Sequence, residues 1–401
     1  MRYVALDVHQ RYCEGAELAG GKLRRFRFPN THGDWTRVAN ELTPDTRVVL
    51  EATGNAYWVY DMVSQCAGEV LLANPLKTRA IAEARIKTDK VDAEILVRLL
   101  AADFIPAVWV PSREQRQLRT LLGYRAKLVR LRTALKNSVH AVLSRNGYRP
   151  PVSDLFGKKG RRFLAELVLP KTEEIILGSC LKVIDELDRE VAALEGEIYE
   201  RAKQMPEVKL LLRIPGLDVI SIMTILAEIG DVSRFRSPKK ICSYAGLVPR
   251  VHWSGKTRYT GHITKAGRST LRWILVQVAH RAVKVPGPLR DFYLRLKAKK
   301  GAKVAIVAVA RKLLVLIWTL LTRKEEYREP SCRYEAKVRK MERLARAYPL
   351  AKTGEREAAL VRLLAEDSLS PSTALPRACG FSEVCLTLPP SRYVWRRRYV
   401  T

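Results

Sequence analysis

The chain has 401 residues, enough for two or three domains, and sets 72 Lys and Arg against 41 Asp and Glu for a formal charge of +31. That excess points to a polyanionic partner held in a salt-dependent way. It argues against a membrane span, because the most apolar stretch of helix length, 304–321, is interrupted by Arg311 and Lys312. The first residues run straight into a strand without a signal-peptide pattern. Seven cysteines are scattered with no CxxC pair, so neither a disulfide framework nor a zinc site is expected, and a reducing, cytoplasmic setting is.

Residues 1–112 alternate strands and helices. Apolar runs at 3–8, 12–18, 23–28, 47–51 and 70–73 predict strands, and 35–42 and 58–66 predict helices. Three strands before the first helix, then helix-linked strands, describe a mixed sheet with helices packed on it, the pattern of a ribonuclease H-like domain. Residues 113–146 read as one long helix. Leu121, Leu128, Leu131, Leu135 and Val142 fall near heptad spacing, while Arg113, Arg116, Arg119, Arg125, Lys127 and Arg130 occupy the other faces. A basic run is most often a solvated face; here the bases cover more than one side and are not matched by acids, which favours phosphate contact. A second heptad pattern at Ile184, Leu187, Val191, Leu194 and Ile198 is flanked by acids and is expected to meet protein.

Beyond Pro206, Ile214-Pro215-Gly216-Leu217-Asp218 followed by an apolar run reads as a helix-hairpin-helix that offers backbone N–H groups to phosphate, or as a plain helical packing unit. The stretch 246–268, with Ser254, Lys256, Arg258, Lys265 and Arg268 among recurring glycines, suits a backbone-lined phosphate site, and a helix is expected from Ser269. After about residue 325 a basic tail follows, with helical segments expected at 334–347 and 355–365, separated at Pro349.

Four carboxylates carry the chemistry. Asp7 lies inside an apolar strand and Glu51 closes another, while Asp89 and Asp92 sit three apart at a helix start, on one face. Asp89 also suits an N-cap, Asp92 a first-turn acid and Glu51 a strand end. Asp7 has no such reading, because an acid among buried apolar neighbours is costly unless paired or metal-bound. Four carboxylates are enough to hold two Mg²⁺ ions for phosphodiester chemistry. Ser254 on its own reads first as a turn residue before Gly255, and no Ser/His/Asp spacing marks it as a nucleophile.

Ala5-Leu6-Asp7-Val8-His9, Leu50-Glu51-Ala52-Thr53-Gly54, Lys87-Thr88-Asp89-Lys90-Val91-Asp92-Ala93, Ile214-Pro215-Gly216-Leu217, Ala227-Glu228-Ile229-Gly230-Asp231, Ala245-Gly246-Leu247-Val248-Pro249, Ser254-Gly255 and Ile263-Thr264-Lys265-Ala266-Gly267 run in one order over about residues 1–325. In that order the chain resembles the transposases of insertion-sequence family 110, the group that includes the Piv and MooV type DNA invertases. The resemblance implies a RuvC-like acidic-tetrad domain at 1–112, a helical coiled-coil connector at 113–205, a mainly helical transposase domain with a serine nucleophile at 206–325, and a basic extension at 326–401. It further implies that Asp7, Glu51, Asp89 and Asp92 hold Mg²⁺ and that Ser254 forms a covalent phosphoserine with DNA. Expected partners are donor and target double-stranded DNA, a structured guide RNA, and further subunits in a tetramer. A metal-dependent junction-resolving nuclease, which would need the acids but not Ser254, and a non-catalytic nucleic-acid-binding protein are the alternatives.

Overall fold

The computed structural model describes residues 1–54, 56–81, 89–254, 257–327 and 333–351, with the side chains of 80, 89, 90, 252, 258, 260 and 347–351 outside that description. Packing divides the chain into two compact units, Met1–Arg116 and Gln117–Thr401.

The first unit is a mixed six-stranded sheet. Its elements are β1 (Arg2–Val8), β2 (Tyr12–Ala19), β3 (Lys22–Pro29), α1 (His32–Asn40), β4 (Thr46–Glu51), α2 (Ala56–Val63), β5 (Glu69–Ala73), α3 (Pro75–Ile81), α4 (Asp89–Ala101) and β6 (Ala107–Val108). The strand order is β3-β2-β1-β4-β5-β6. β1 pairs antiparallel with β2 and parallel with β4, and β4 pairs parallel with β5. β2 and β3 form a tight hairpin in which Gly20 and Gly21 both take positive φ, as a two-residue turn between twisted strands requires. The period-2 alternation divides the core. Val4, Leu6, Val48, Leu50 and Leu72 lie on one face with Trp35 of α1 and Val59 and Val63 of α2, while Ala5, Ala16, Val49 and Ala73 lie on the other with Ala93, Leu96, Val97 and Leu100 of α4. Small residues under α4 let the helix approach the sheet closely. Five of the strands and both helices expected in 1–73 are present within a few residues. α3 and the two-residue β6 were not expected, being too short to carry a period.

The second unit is helical apart from one hairpin: α5 (Arg113–Arg145), which begins at the end of the first unit, α6 (Lys158–Ala165), α7 (Lys171–Gln204), α8 (Pro206–Leu212), α9 (Val219–Ile229), a 3-10 turn at Val232–Arg234, α10 (Pro238–Tyr244), β7 (Pro249–Ser254), β8 (Thr257–Ile263), α11 (Ser269–Ala282), α12 (Pro288–Lys300), α13 (Ala302–Arg323) and α14 (Tyr334–Ala351). α5 and α7 run antiparallel. Arg125 reaches Glu195, Arg132 reaches Asp188 and Arg145 reaches Glu173, so partners ascend on one helix as they descend on the other. The acids that balance α5 therefore come from α7, far along the chain. α13 is the one helix among the described residues long and apolar enough to cross a membrane, and half of its most apolar window is buried. Ala305, Ile306, Val309, Leu313, Leu314 and Ile317 join it to the core of this unit.

The same core takes in α14, through Met341, Leu344 and Ala345. Lys337 of α14 donates to the carbonyls of Leu212 and Ile214 at the end of α8, at 3.1 and 3.5 Å. The helix expected to stop at Pro349 continues to Ala351; the helix expected at 355–365 lies outside the described residues. Leu344→Ala should cost about 2–5 kcal/mol of stability, read from the denaturant midpoint of the full chain. An unchanged midpoint would make α14 an appendage rather than part of the core.

Candidate active site and basic surface

Asp7 and Glu51 sit at the same ends of two adjacent parallel strands. Leu6 pairs with Leu50, so Asp7 and Glu51 are the next positions on β1 and β4, and alternation directs both to the face that α4 covers. Directly across from Asp7 in register is Glu14 of β2, on that face too. Three carboxylates thus stand in a row across three strands. Asp7 and Glu14 are both buried, 6% and 3% exposed, and like charges directly opposite on a sheet destabilise it unless compensated. Part of the compensation comes from His9, whose Nε2 lies 3.0 Å from Asp7 Oδ2, and from Arg27, whose Nε lies 3.7 Å from Glu14 Oε2. Between them, burial first and then the charges of Asp7 and Glu14 push the Cys13 thiol far up.

Asp92 is half-buried in the first turn of α4, one position before Ala93 on the sheet-facing side. Asp89 opens that helix, and its side chain lies outside the description. Among the described residues, no three His, Cys, Asp or Glu side chains converge as a metal cage. The donors are nonetheless all oxygen, as a hard cation prefers.

Ser254 ends β7. It pairs with Thr257, and His252 pairs with Tyr259. The stretch expected to line a phosphate site includes a two-stranded ribbon, whose strands the sequence reading did not anticipate. Its described side chains are largely exposed, Trp253 at 71% and Tyr259 at 59% among them. Its foot, in contrast, is clamped. A side chain on Gly246, at φ +66°, would come 2.4 Å from the Ala266 carbonyl, and one on Gly267, at φ +100°, 2.2 Å from the Tyr244 carbonyl. Lys265 takes φ +55° between them. Arg272 of α11 donates to the Ala245 carbonyl at 3.0 Å, and burial pulls its guanidinium below the ordinary arginine value. Arg268 forks onto the buried carboxylate of Glu228 on α9, at 2.5 and 3.1 Å. The hydroxyl of Tyr244 donates to the Glu228 carbonyl at 3.0 Å. The exposed serine thus rides on a rigid base.

Two family models match. Residues 4–147 match the DEDD transposase domain of IS110 type, and residues 208–294 match the transposase IS116/IS110/IS902 family. The chain belongs to the IS110/IS116/IS902 transposases. A probable family 20 transposase of Pseudomonas aeruginosa is 29% identical over 297 residues, 71% of this chain and 86% of its own. The transposase for insertion sequence element IS1111A of Coxiella burnetii is 28% identical, over 70% of this chain and 79% of its own. The pilin gene-inverting protein of Moraxella bovis is 24% identical over 350 residues, 81% of this chain and 97% of its own.

The basic residues of this transposase divide by what they touch. Arg116 forks onto Asp61 at 2.6 and 2.8 Å and lies over the Tyr57 ring. Arg119 donates to the last carbonyls of α9, Ala227 at 2.7 Å and Glu228 at 3.0 Å, and Arg125 holds Glu195. With Arg268 these four serve the fold. Arg113, Lys127, Arg130 and Lys265 are exposed, while Lys256 and the side chain of Arg258 lie outside the description. Gly216, at φ +84°, presses against the α11 backbone at Val278 and Ala282. Asp218 caps α9 and accepts from the Ser221 N–H at 2.8 Å. Burial raises the Asp218 carboxyl, but Arg281 and Ser221 outweigh it and hold it below the ordinary carboxylate value. The N-terminus of α9 is thus already occupied by a protein anion.

Glu14 and Glu228 were not found by sequence reasoning. Glu14 gains its place only through strand register. Glu228 sits in a resemblance motif, but its partner is 40 residues away. Arg268→Ala should destabilise by about 2–4 kcal/mol, since it strands a buried carboxylate. Arg268→Ala with Glu228→Gln should lose less in the same denaturant titration, and losses that simply add would make the pair a surface contact.

Proposed function

We propose that this transposase is an RNA-guided DNA recombinase that cuts and rejoins strands through a covalent serine–phosphodiester intermediate. In this reading the first unit is RuvC-like, with Asp7, Glu51, Asp89 and Asp92 as the Mg²⁺-binding tetrad, and α5 and α7 form the coiled-coil connector. The observation that carries it is the row of carboxylates at the ends of β2, β1 and β4, two of them buried and Glu51 half-buried, facing a helix whose first turn bears two more. Charge at such a place is retained against its desolvation cost, which favours a cation as its purpose. When bound there, Mg²⁺ supplies Lewis-acid stabilisation of charge on a phosphate.

The protein's own part is nucleophilic. Ser254 Oγ bonds to a DNA phosphorus, the bond from phosphorus to the 3′ oxygen breaks, and the serine proton ends on that oxygen, leaving a 5′-phosphoserine and a free 3′ hydroxyl. A 3′ hydroxyl of another strand reverses the step and restores the serine. Exposure of Ser254 on a ribbon with a fixed foot suits a nucleophile that must reach a duplex. Lys256, Arg258 and Lys265 would neutralise the phosphate, and Arg113, Lys127 and Arg130 would contact the guide RNA or DNA backbone. The reading includes a cytoplasmic tetramer in which the acids of one subunit meet the serine of another. The Moraxella relative's name, pilin gene-inverting protein, accords with strand exchange between DNA sites.

The test incubates purified protein with element-end DNA, Mg²⁺ and RNA from the flanking non-coding region. A denaturation-resistant protein–DNA adduct is expected in wild type, absent in Ser254→Ala and without RNA, and strand transfer is expected to fail in Asp7→Asn. Cleavage without an adduct, unchanged by Ser254→Ala, would assign the chain to hydrolytic junction-resolving nucleases.

A further inference from the structure

Two cavities of the second unit adjoin. The larger, about 540 Å³, lies among α5, α7, α9, α11 and α14, and the smaller, about 210 Å³, lies among α5, α9 and α11. Arg125, Ile220, Trp273 and Ile274 line both, so they form one trough over α9. Its combined volume lies within the range of ligand-binding clefts. Along α11 it runs from Arg268 to beyond Arg281, about 20 Å at 1.5 Å per residue.

The chemistry of the walls is mixed in a particular way. Five bases against two acids line the larger cavity; Lys284 and Lys340 are among the bases, and Glu195 and Asp218 are the acids, each paired with an arginine. In the middle stands Trp273, 52% exposed, although its helix neighbours Ile274 and Leu275 are buried. An indole left half-open in a cationic trough is the arrangement that stacks an unpaired base while the bases of the wall hold its phosphates. A duplex hides its base faces, so it cannot use the indole. At the far end is Arg268, the residue that fixes the foot of the Ser254 ribbon on Glu228.

We propose that this trough is a track for a single-stranded nucleic-acid segment, with one base stacked on Trp273 and the strand led toward the foot of the serine ribbon. α14, through Lys337 and Lys340, completes its wall, which gives the C-terminal helix a binding task besides its packing. The proposal rests on the nucleic-acid reading above but not on serine chemistry.

Full-length protein would be titrated by fluorescence anisotropy against labelled oligo-dT, oligo-U and abasic strands of equal length, at about 0.2 M salt to suppress non-specific binding. Trp273→Ala should weaken binding of strands that carry bases by about fivefold to a hundredfold, with Trp273→Phe in between. The abasic strand should bind wild type and Trp273→Ala alike, and the wild type should prefer strands with bases over it. Whether oligo-dT or oligo-U shows the dependence identifies DNA or RNA as the occupant. Equal binding of abasic and base-bearing strands by wild type, or no effect of Trp273→Ala on either, overturns the track; binding of neither strand, with capture of a peptide, does so as well. The adduct assay run in parallel separates the two ideas: an adduct without Trp273 dependence sinks only the track, and Trp273 dependence without an adduct sinks only the serine chemistry.

Discussion

The first unit is organised around an unfavourable interaction, two buried carboxylates set opposite each other on neighbouring strands. Asp7 and Glu14 share a register position with little exposure, and taking a carboxylate out of water carries a desolvation cost that its partners must offset. A sheet built only for stability would place apolar residues there, as it does one step away at Leu6 and Leu50. The cost is tolerated where β1, β2 and β4 end together, beside the first turn of α4. Everything else in the unit serves that convergence: the parallel pairing of β1 with β4 brings Glu51 alongside, and the small residues Ala5, Ala16 and Ala73 let α4 close over the same face.

The second unit handles charge differently. Its buried acid, Glu228, is neutralised within the fold by Arg268, and Arg119 caps the same helix end. These contacts, with the close approaches at Gly246 and Gly267, fix the foot of the ribbon, while Trp253 and Tyr259 on its strands are exposed. A fixed foot under an exposed serine limits the conformational freedom that side chain would lose on engaging a partner. Thus one unit gathers carboxylates at the ends of its strands, and the other pairs its buried acid with an arginine and presents a hydroxyl.

How far the sequence disclosed this depends on how local each signal is. The strands of the first unit were legible because their alternation is driven by a core on both faces. Asp7 and Glu51 were legible because an acid in or at the end of an apolar run is conspicuous. Glu14 was not, because only the register with β1 gives it meaning. The ribbon of β7 and β8 escaped because both of its faces are open to solvent, so no apolar alternation marks it, and its Gly and Lys residues read as loop. The bases of α5 looked unmatched because Glu195, Asp188 and Glu173 lie 28–70 residues further on. The C-terminal helix was recognised as a helix, but its burial against α7 and α8 has no local signature.

If the carboxylate row exists to hold a cation, Mg²⁺ must stabilise the protein through it. Thermal unfolding of wild type and Asp7→Asn with and without Mg²⁺ tests this without any DNA substrate. Wild type should gain stability with Mg²⁺, about 2.7 kcal/mol at a hundredfold excess over Kd. Asp7→Asn should gain little, while its metal-free stability matches or exceeds that of wild type because the repulsion with Glu14 is gone. An equal Mg²⁺ response in the two proteins, or a metal-free Asp7→Asn that is much less stable, would contradict a metal site at Asp7 and make that carboxylate a structural partner of the fold.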